Sequence, residues 1–291
     1  MRGQDAVHDG QEAGRAAGPV RASPDWLDLR EPADAAARSA ELVDELGTVL
    51  PSGEPVRIHD LGAGTGSMAR WLAPRLPGAQ HWLLHDRDTD LLADARRRPP
   101  PHDRDGAPVT VVTRPGDLTR LSPDDLAGAH LVTASALLDM LTEDELARLV
   151  ATCAEPGCPV LVTLSVVGRV ELEPTDPLDD RVTEAFNDHQ RRASAAGRLL
   201  GPDAVGAAVA GFRRLGREVV VRPSPWRLGP DHTGLAASWL RGWCAAAREQ
   251  RPDLAGELAA YERRRLAEVE DGTLSVTVHH EDLLVLPGRR R

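Results

Sequence analysis

At 291 residues the chain is long enough to bury a full core, and it reads as one large α/β domain with elaborations. Its net charge of −10 argues against non-specific nucleic-acid binding, which needs clustered cations, and its 35 basic residues are all arginine, a coding bias. Cys153, Cys158 and Cys244 form no paired C-x-x-C spacing and no apolar run approaches membrane-spanning length. The expectation is a cytoplasmic protein with no disulfide framework, no metal and no membrane or nucleic-acid partner.

Met1 to Ala22 lacks apolar periodicity and predicts a disordered leader, with residues 23–291 as the single domain. After Pro32, Ala33 to Leu46 is rich in helix formers with apolar positions at Ala35, Leu42, Val43 and Leu46, so a cover helix is expected beside the first strand. Val56 to Leu61 then reads as a buried strand, Gly62-Ala63-Gly64-Thr65-Gly66 as a sharp turn, and Ser67 to Leu76 as a helix. Glycine suits such a turn because it accepts positive φ and lets a ligand approach the backbone. Ala79 to Asp86 is a second strand that stops on an acid, 20 residues beyond Gly66. Asp90 to Arg98 predicts a helix, Pro108 to Thr113 a third strand, and Gly116-Asp117 a turn.

Ala129 to Ser135 is the fourth strand, followed by Asp139 and a helix from Thr142, whose pairing with Glu145 is a capping box. Pro159 to Val166 is almost wholly apolar, as a central strand buried on both faces should be. A short extended arm follows at Gly168 to Leu172. Helical inserts are expected at about residues 177–196 and 232–269, with a further helix from Pro202 to Leu215 and a sixth strand at Glu218 to Arg222 between them. A seventh strand covers Leu274 to Leu286. The adjacent His279 and His280 point to opposite faces of that strand and cannot share a metal.

Asp60-Leu61-Gly62-Ala63-Gly64-Thr65-Gly66 resembles the first motif of the class I S-adenosylmethionine-dependent methyltransferases. Dinucleotide sites use G-x-G-x-x-G instead, and Met68 breaks that spacing. The resemblance implies a doubly wound α/β sheet of seven mostly parallel strands, order 3-2-1-4-5-7-6 with the last antiparallel, and helices on both faces. It covers about Val56 to Leu164 by motif and the rest by topology only.

The resemblance also implies site roles. Asp60, Gly62, Ala63, Gly64 and Gly66 would hold the methionine part and ribose of the cofactor, and Asp86 would accept from the ribose hydroxyls. Arg87 would pack on the adenine, and Asp117 with the Leu118 amide would read its edge, unless Asp117 only forms the turn. Ser135 would touch cofactor and acceptor. Arg38 or Arg30 would meet the methionine carboxylate, unless both are solvated edge arginines. Asp139 is a substrate-orienting or proton-accepting candidate, or a surface acid before a helix. His189 is a base candidate or a packed helical histidine, and Asn187, Gln190 and Trp226 are acceptor-side candidates.

The implied reaction is methyl transfer from S-adenosylmethionine to an O, N or C nucleophile of a small molecule. No Asn-Pro-Pro-Tyr or Asp-Pro-Pro-Tyr segment follows the fourth strand, and that segment is the usual marker of adenine or amide-nitrogen methylation. Two alternatives stay open. One is a non-methylating S-adenosylmethionine-binding protein, cyclase-like or regulatory. The other is a nicotinamide-dependent oxidoreductase, although one tyrosine and no lysine cannot supply Tyr-x-x-x-Lys.

Overall fold

The computed structural model describes residues 22–288, so the expected leader lies outside the described residues except for Ala22. Helices α1 (Pro24–Ala37) and α2 (Ala40–Gly47) precede β1 (Val56–Leu61), α3 (Ser67–Leu72), β2 (Gln80–Asp86), α4 (Thr89–Arg97) and β3 (Val109–Pro115). Next come β4 (Leu131–Ser135), α5 (Glu143–Ala154), β5 (Val160–Glu173), α6 (Asp179–Gln190), the hairpin β6 (Ala193–Ser194) and β7 (Gly197–Arg198), and α7 (Ala204–Arg214). The chain closes with β8 (Glu218–Pro223), β9 (Trp226–Leu228), α8 (Thr233–Gln250), α9 (Ala255–Glu270) and β10 (Ser275–Leu286).

The main sheet runs β3-β2-β1-β4-β5-β10-β8, with β9 pairing off its path onto β10. Strands β1 to β5 pair in parallel, whereas β10 is antiparallel to β5, β8 and β9. Counting only the long strands, this is the expected order 3-2-1-4-5-7-6. Parallel register puts Leu61 beside His85 and Ala134, and Ser135 beside Thr163, so Asp60, Asp86 and Ser135 share one edge of the sheet.

One face of the sheet packs on α5 and α7 through Val132, Leu149, Val160, Ala208 and Phe212. The other packs on α2 and α3 through Leu42, Leu46, Ile58, Met68 and Trp82. Each large side chain buried in this way contributes about 1.5–3 kcal/mol. A third apolar cluster joins α6, α8 and α9 to β9 and the far end of β10, through Val182, Trp226, Leu240, Trp243, Tyr261 and Val276. The two inserts therefore build one helical layer beyond the sheet edge.

Three local differences from the sequence expectation have physical causes. The cover helix starts earlier, because the Ser23 side chain accepts from the Trp26 amide and Pro24 occupies the first turn. It also divides at Arg38, where the Ser39 amide donates to buried Asp282 (2.8 Å) and the Ser39 side chain caps α2. The first insert stops being helical at Gln190 and turns into the β6–β7 hairpin, with Gly197 at φ 131°. The expected arm at 168–172 is no separate element but the continuation of β5, paired with β10 as far as Glu173 opposite Ser275.

Candidate functional site

The glycine corner between β1 and α3 places Gly62, Gly64 and Gly66 at φ 68°, 54° and 82°, all left-handed. The amides of Gly62 and Ala63 donate to the His85 carbonyl at 2.8 and 3.0 Å. The Gly64 amide donates to Asp86 Oδ2 at 2.8 Å, and Asp86 Oδ1 accepts from the Asp88 amide at 2.8 Å. The acid that closes β2 thus clamps the loop while each oxygen keeps a further lone pair. A Cβ on Gly62 would stand 3.1 Å from Leu137, and one on Gly64 would stand 3.4 Å from Leu27 of α1. Leu118 also lies over Gly62, so leucine tips and the cover helix cap the corner.

Beneath that cap lies a buried polar basin. Asp60 is 1% exposed; its Oδ1 accepts from Thr133 Oγ1 (2.8 Å) and its Oδ2 has no partner among the described residues. Burial pushes its carboxyl up to about 7, opposed by the Thr133 hydrogen bond and by Arg38. Arg38, where α1 ends, is 4% exposed and turns inward. It donates to Thr163 Oγ1 (3.4 Å), Ser67 Oγ (3.3 Å) and Ser135 Oγ (3.1 Å), and its Nη1 has no partner among the described residues. Burial depresses its pKa, with Asp34, Asp282 and Asp60 acting the other way and Arg30 adding to the depression.

The residues just after two of those hydroxyls are left-handed without being glycine: Ala136 at φ 49° and Leu164 at φ 56°. Such backbone costs on the order of 1 kcal/mol or more and needs support. Here the Ala136 amide donates to the Thr163 carbonyl (2.9 Å), and the Leu164 amide donates to buried Asp282 (2.8 Å). The end of β4 and the interior of β5 are therefore held in an uncommon shape beside the Ser135 and Thr163 hydroxyls that meet the Arg38 guanidinium.

The other expected residues divide. Asp139 is half-buried, its carboxyl raised by burial and held back by its own backbone amide and by Arg30 and Arg192 acting through space. Asp117 is exposed and caps the turn it starts, accepting from the Thr119 amide (2.9 Å) and hydroxyl (2.8 Å), and these bonds hold its carboxyl below the usual range. Arg87 is exposed on the same edge.

Trp226 is buried beneath α1, donating to Asp34 (2.9 Å) with the Arg30 guanidinium 4.8 Å from its ring centre. Asn187 donates to the Gly168 carbonyl (2.7 Å), and Gln190 packs on Gly201. Their Asn187 Oδ1 and Gln190 Oε1 are buried without partners among the described residues. His189 turns to Glu249 of α8 (3.3 Å). Its contacts lie among the inserts, and none joins it to the glycine corner.

No family model matches the chain. It is similar to acetylserotonin O-methyltransferase of Mus musculus, 36% identical over 197 residues, which is 66% of this chain and 45% of that protein. The chain thus spans less than half the length of the curated relative it matches. A methyltransferase from Geobacter sulfurreducens, solved with S-adenosyl-L-homocysteine, is 20% identical, covering 91% of this chain and 98% of that one, with a TM-score of 0.43. A cyclopropane synthase from Mycobacterium tuberculosis is 13% identical, covering 90% of this chain and 94% of that one, with a TM-score of 0.48.

The fold is that of the class I S-adenosylmethionine-dependent methyltransferases. Strand order, the antiparallel β10 and the glycine corner after β1 carry that conclusion together.

Within this methyltransferase fold, several residues of the basin had not been singled out from the sequence. Thr133 and Thr163 are polar residues inside largely apolar stretches of β4 and β5, and that signal was available, since a buried polar group must have a reason; Asp282 follows the polar run His279-His280-Glu281 and carried none. Ser67 and Arg70 carried no such signal. Among the described residues no helix is long and apolar enough to cross a membrane, and no group of three or more His, Cys, Asp or Glu could hold a metal ion.

Proposed function

We propose that the chain binds S-adenosylmethionine at the glycine corner and transfers its methyl group to a nucleophile of a small-molecule acceptor. The observation that carries this reading is the pair of buried charged groups with atoms left unpartnered among the described residues, Arg38 Nη1 and Asp60 Oδ2. A buried guanidinium that among the described residues meets hydroxyls and the Trp71 ring but no carboxylate at hydrogen-bond distance is complementary to a carboxylate, and a buried carboxylate with a free oxygen to an ammonium. The amino-acid end of the cofactor carries both. Asp86 would hold the ribose with its remaining lone pairs, Leu118 and Leu137 would supply apolar faces for the adenine, and Arg87, Asp117 and Ser135 would border it.

When bound, the cofactor supplies a methyl group already activated by its sulfonium, so the protein's share is alignment and exclusion of water. Helix α1 covers the corner and keeps water out. Asp139, with a carboxyl raised by burial and no side-chain hydrogen-bond partner among the described residues, would take the proton of an O–H or N–H nucleophile. The curated relative's name favours an oxygen nucleophile. Asp139 is the stronger base candidate, since His189 is engaged with Glu249. Asn187, Gln190 and Trp226 would shape the acceptor side beneath the inserts.

The test is S-adenosylhomocysteine release from the full chain, supplied with S-adenosylmethionine and a panel of small hydroxyl and amine compounds. Turnover above the acceptor-free rate is expected with hydroxyl compounds, and Asp139→Asn should lower kcat by about a hundredfold. Absence of S-adenosylhomocysteine binding in calorimetry would overturn the assignment.

A further inference from the structure

The third glycine of the corner serves a side chain. A Cβ on Gly66 would stand 3.4 Å from Arg70 Nη1 and 3.3 Å from Ala95 Cβ, so its absence leaves room for the Arg70 guanidinium against the turn. From there Nη1 donates to the Thr65 carbonyl (2.5 Å) and the Arg98 carbonyl (3.3 Å). The other nitrogens reach across to the cover helix: Nε to Glu31 Oε1 (2.7 Å) and Nη2 to Glu31 Oε2 (2.5 Å). The loop is therefore gripped from two sides, by Asp86 through the Gly64 amide and by Arg70 through the Thr65 carbonyl.

Only the second grip is shared with α1. The same face of α1 carries Asp28, which pairs with Arg98 (2.8 Å), and Leu27, whose tip lies over Gly64. With α1 seated, Leu27 therefore covers the Gly64 side of the corner.

We infer that Arg70 is a positioning residue that couples the seating of α1 to the shape of the glycine loop, with the Glu31–Arg70 pair as the latch that sets how fast a cofactor enters and leaves. This rests on the proposed cofactor site. When the latch opens, Arg70 loses its carboxylate partner and keeps only carbonyls and the Thr65 hydroxyl, so α1 departure and loosening of the turn are one event. The geometry is bidentate and half-buried, with side-chain exposures of 17% for Arg70 and 24% for Glu31, where ion pairs are screened less than at the open surface.

The experiment uses the full chain, its Glu31→Gln and Arg70→Lys variants, S-adenosylhomocysteine as the probe, and two readouts. Stopped-flow binding should show Glu31→Gln raising both association and dissociation rates by about three- to tenfold, with Kd moved much less than either rate. Arg70→Lys, which keeps charge but loses the fork, should accelerate dissociation in the same direction. Hydrogen exchange of residues 24–37 without ligand should speed up in Glu31→Gln and stay unchanged in α5.

Unchanged rates together with unchanged α1 exchange would overturn the latch. If the unaltered chain binds no S-adenosylhomocysteine, the cofactor reading falls. The exchange arm then decides the latch alone: faster α1 exchange supports it and unaltered exchange refutes it.

Discussion

Two buried arginines, Arg38 under the cover helix and Arg265 in the helical inserts, sit in opposite kinds of company. Arg265 is 1% exposed and donates to both oxygens of Asp179 (2.7 Å each), to Glu268 (2.7 Å) and to the Pro174 carbonyl (2.7 Å). Burial opposes its charge, yet the bonds to Asp179 and Glu268 raise its pKa. Tyr261 completes the cluster by donating to Asp179 (2.6 Å). Arg38 is about as buried but among the described residues meets only hydroxyls at hydrogen-bond distance, and its pKa is lowered. A buried cation matched by its own carboxylates holds the fold together. One left facing neutral oxygens stabilises little, and on the proposed reading it awaits an anion brought from outside.

Substitution tests that contrast most strongly at Arg265. Arg265→Met strands the Asp179 and Glu268 carboxylates and should cost about 3–5 kcal/mol in urea unfolding. Arg38→Met removes a poorly matched buried charge and should change stability by no more than about 1 kcal/mol. Equal losses would erase the distinction between the two sites.

A smaller effect comes from two buried groups behind the glycine corner, where no charge is wanted. His59 Nδ1 lies 3.1 Å from His85 Nε2, and the His85 carbonyl holds the Gly62 and Ala63 amides. Burial, then His85, Arg57 and Arg114, lower the His59 pKa to about 4. In the unfolded chain it titrates near the ordinary value of about 6.5. The unfolded state therefore binds the extra proton first as pH falls, and stability present above pH 6.5 is lost between about 6.5 and 4. The loss should be about 3 kcal/mol, and His59→Gln should flatten that part of the stability profile measured by urea unfolding. An identical profile in the variant would show that the pair is solvated and does not support the corner.

The glycine corner was largely legible in the sequence because its geometry is local. Strand, glycine turn and helix are contiguous from Val56 to Leu72, and Asp86 reaches the Gly64 amide from the next strand in order. Asp117 was legible only as a position, and the structure gives its carboxylate a turn to cap. Arg38 was expected near the cofactor, but its environment could not be read. Ser67, Ser135 and Thr163 come from three separate elements, and the helix break that aims Arg38 inward depends on Asp282, more than 240 residues away.

The inserts were legible as helices and not as an arrangement. Trp239 and Trp243, one helical turn apart, stack with ring centres 5.1 Å apart, but nothing local pairs Arg265 with Asp179 or seats Trp226 on Asp34. The Glu31–Arg70 latch joins two solvated-looking residues of different helices, a pairing with no periodic signal.

The measurement that bears most directly on the cofactor corner is a pair of calorimetric affinities, for S-adenosylhomocysteine and for 5′-methylthioadenosine, which lacks the amino-acid end. The unaltered chain should prefer S-adenosylhomocysteine by about a hundredfold, and Arg38→Met should reduce that preference to about tenfold or less while the protein stays folded. The same preference in both proteins would mean that Arg38 does not receive the carboxylate, and the account of the basin would be wrong.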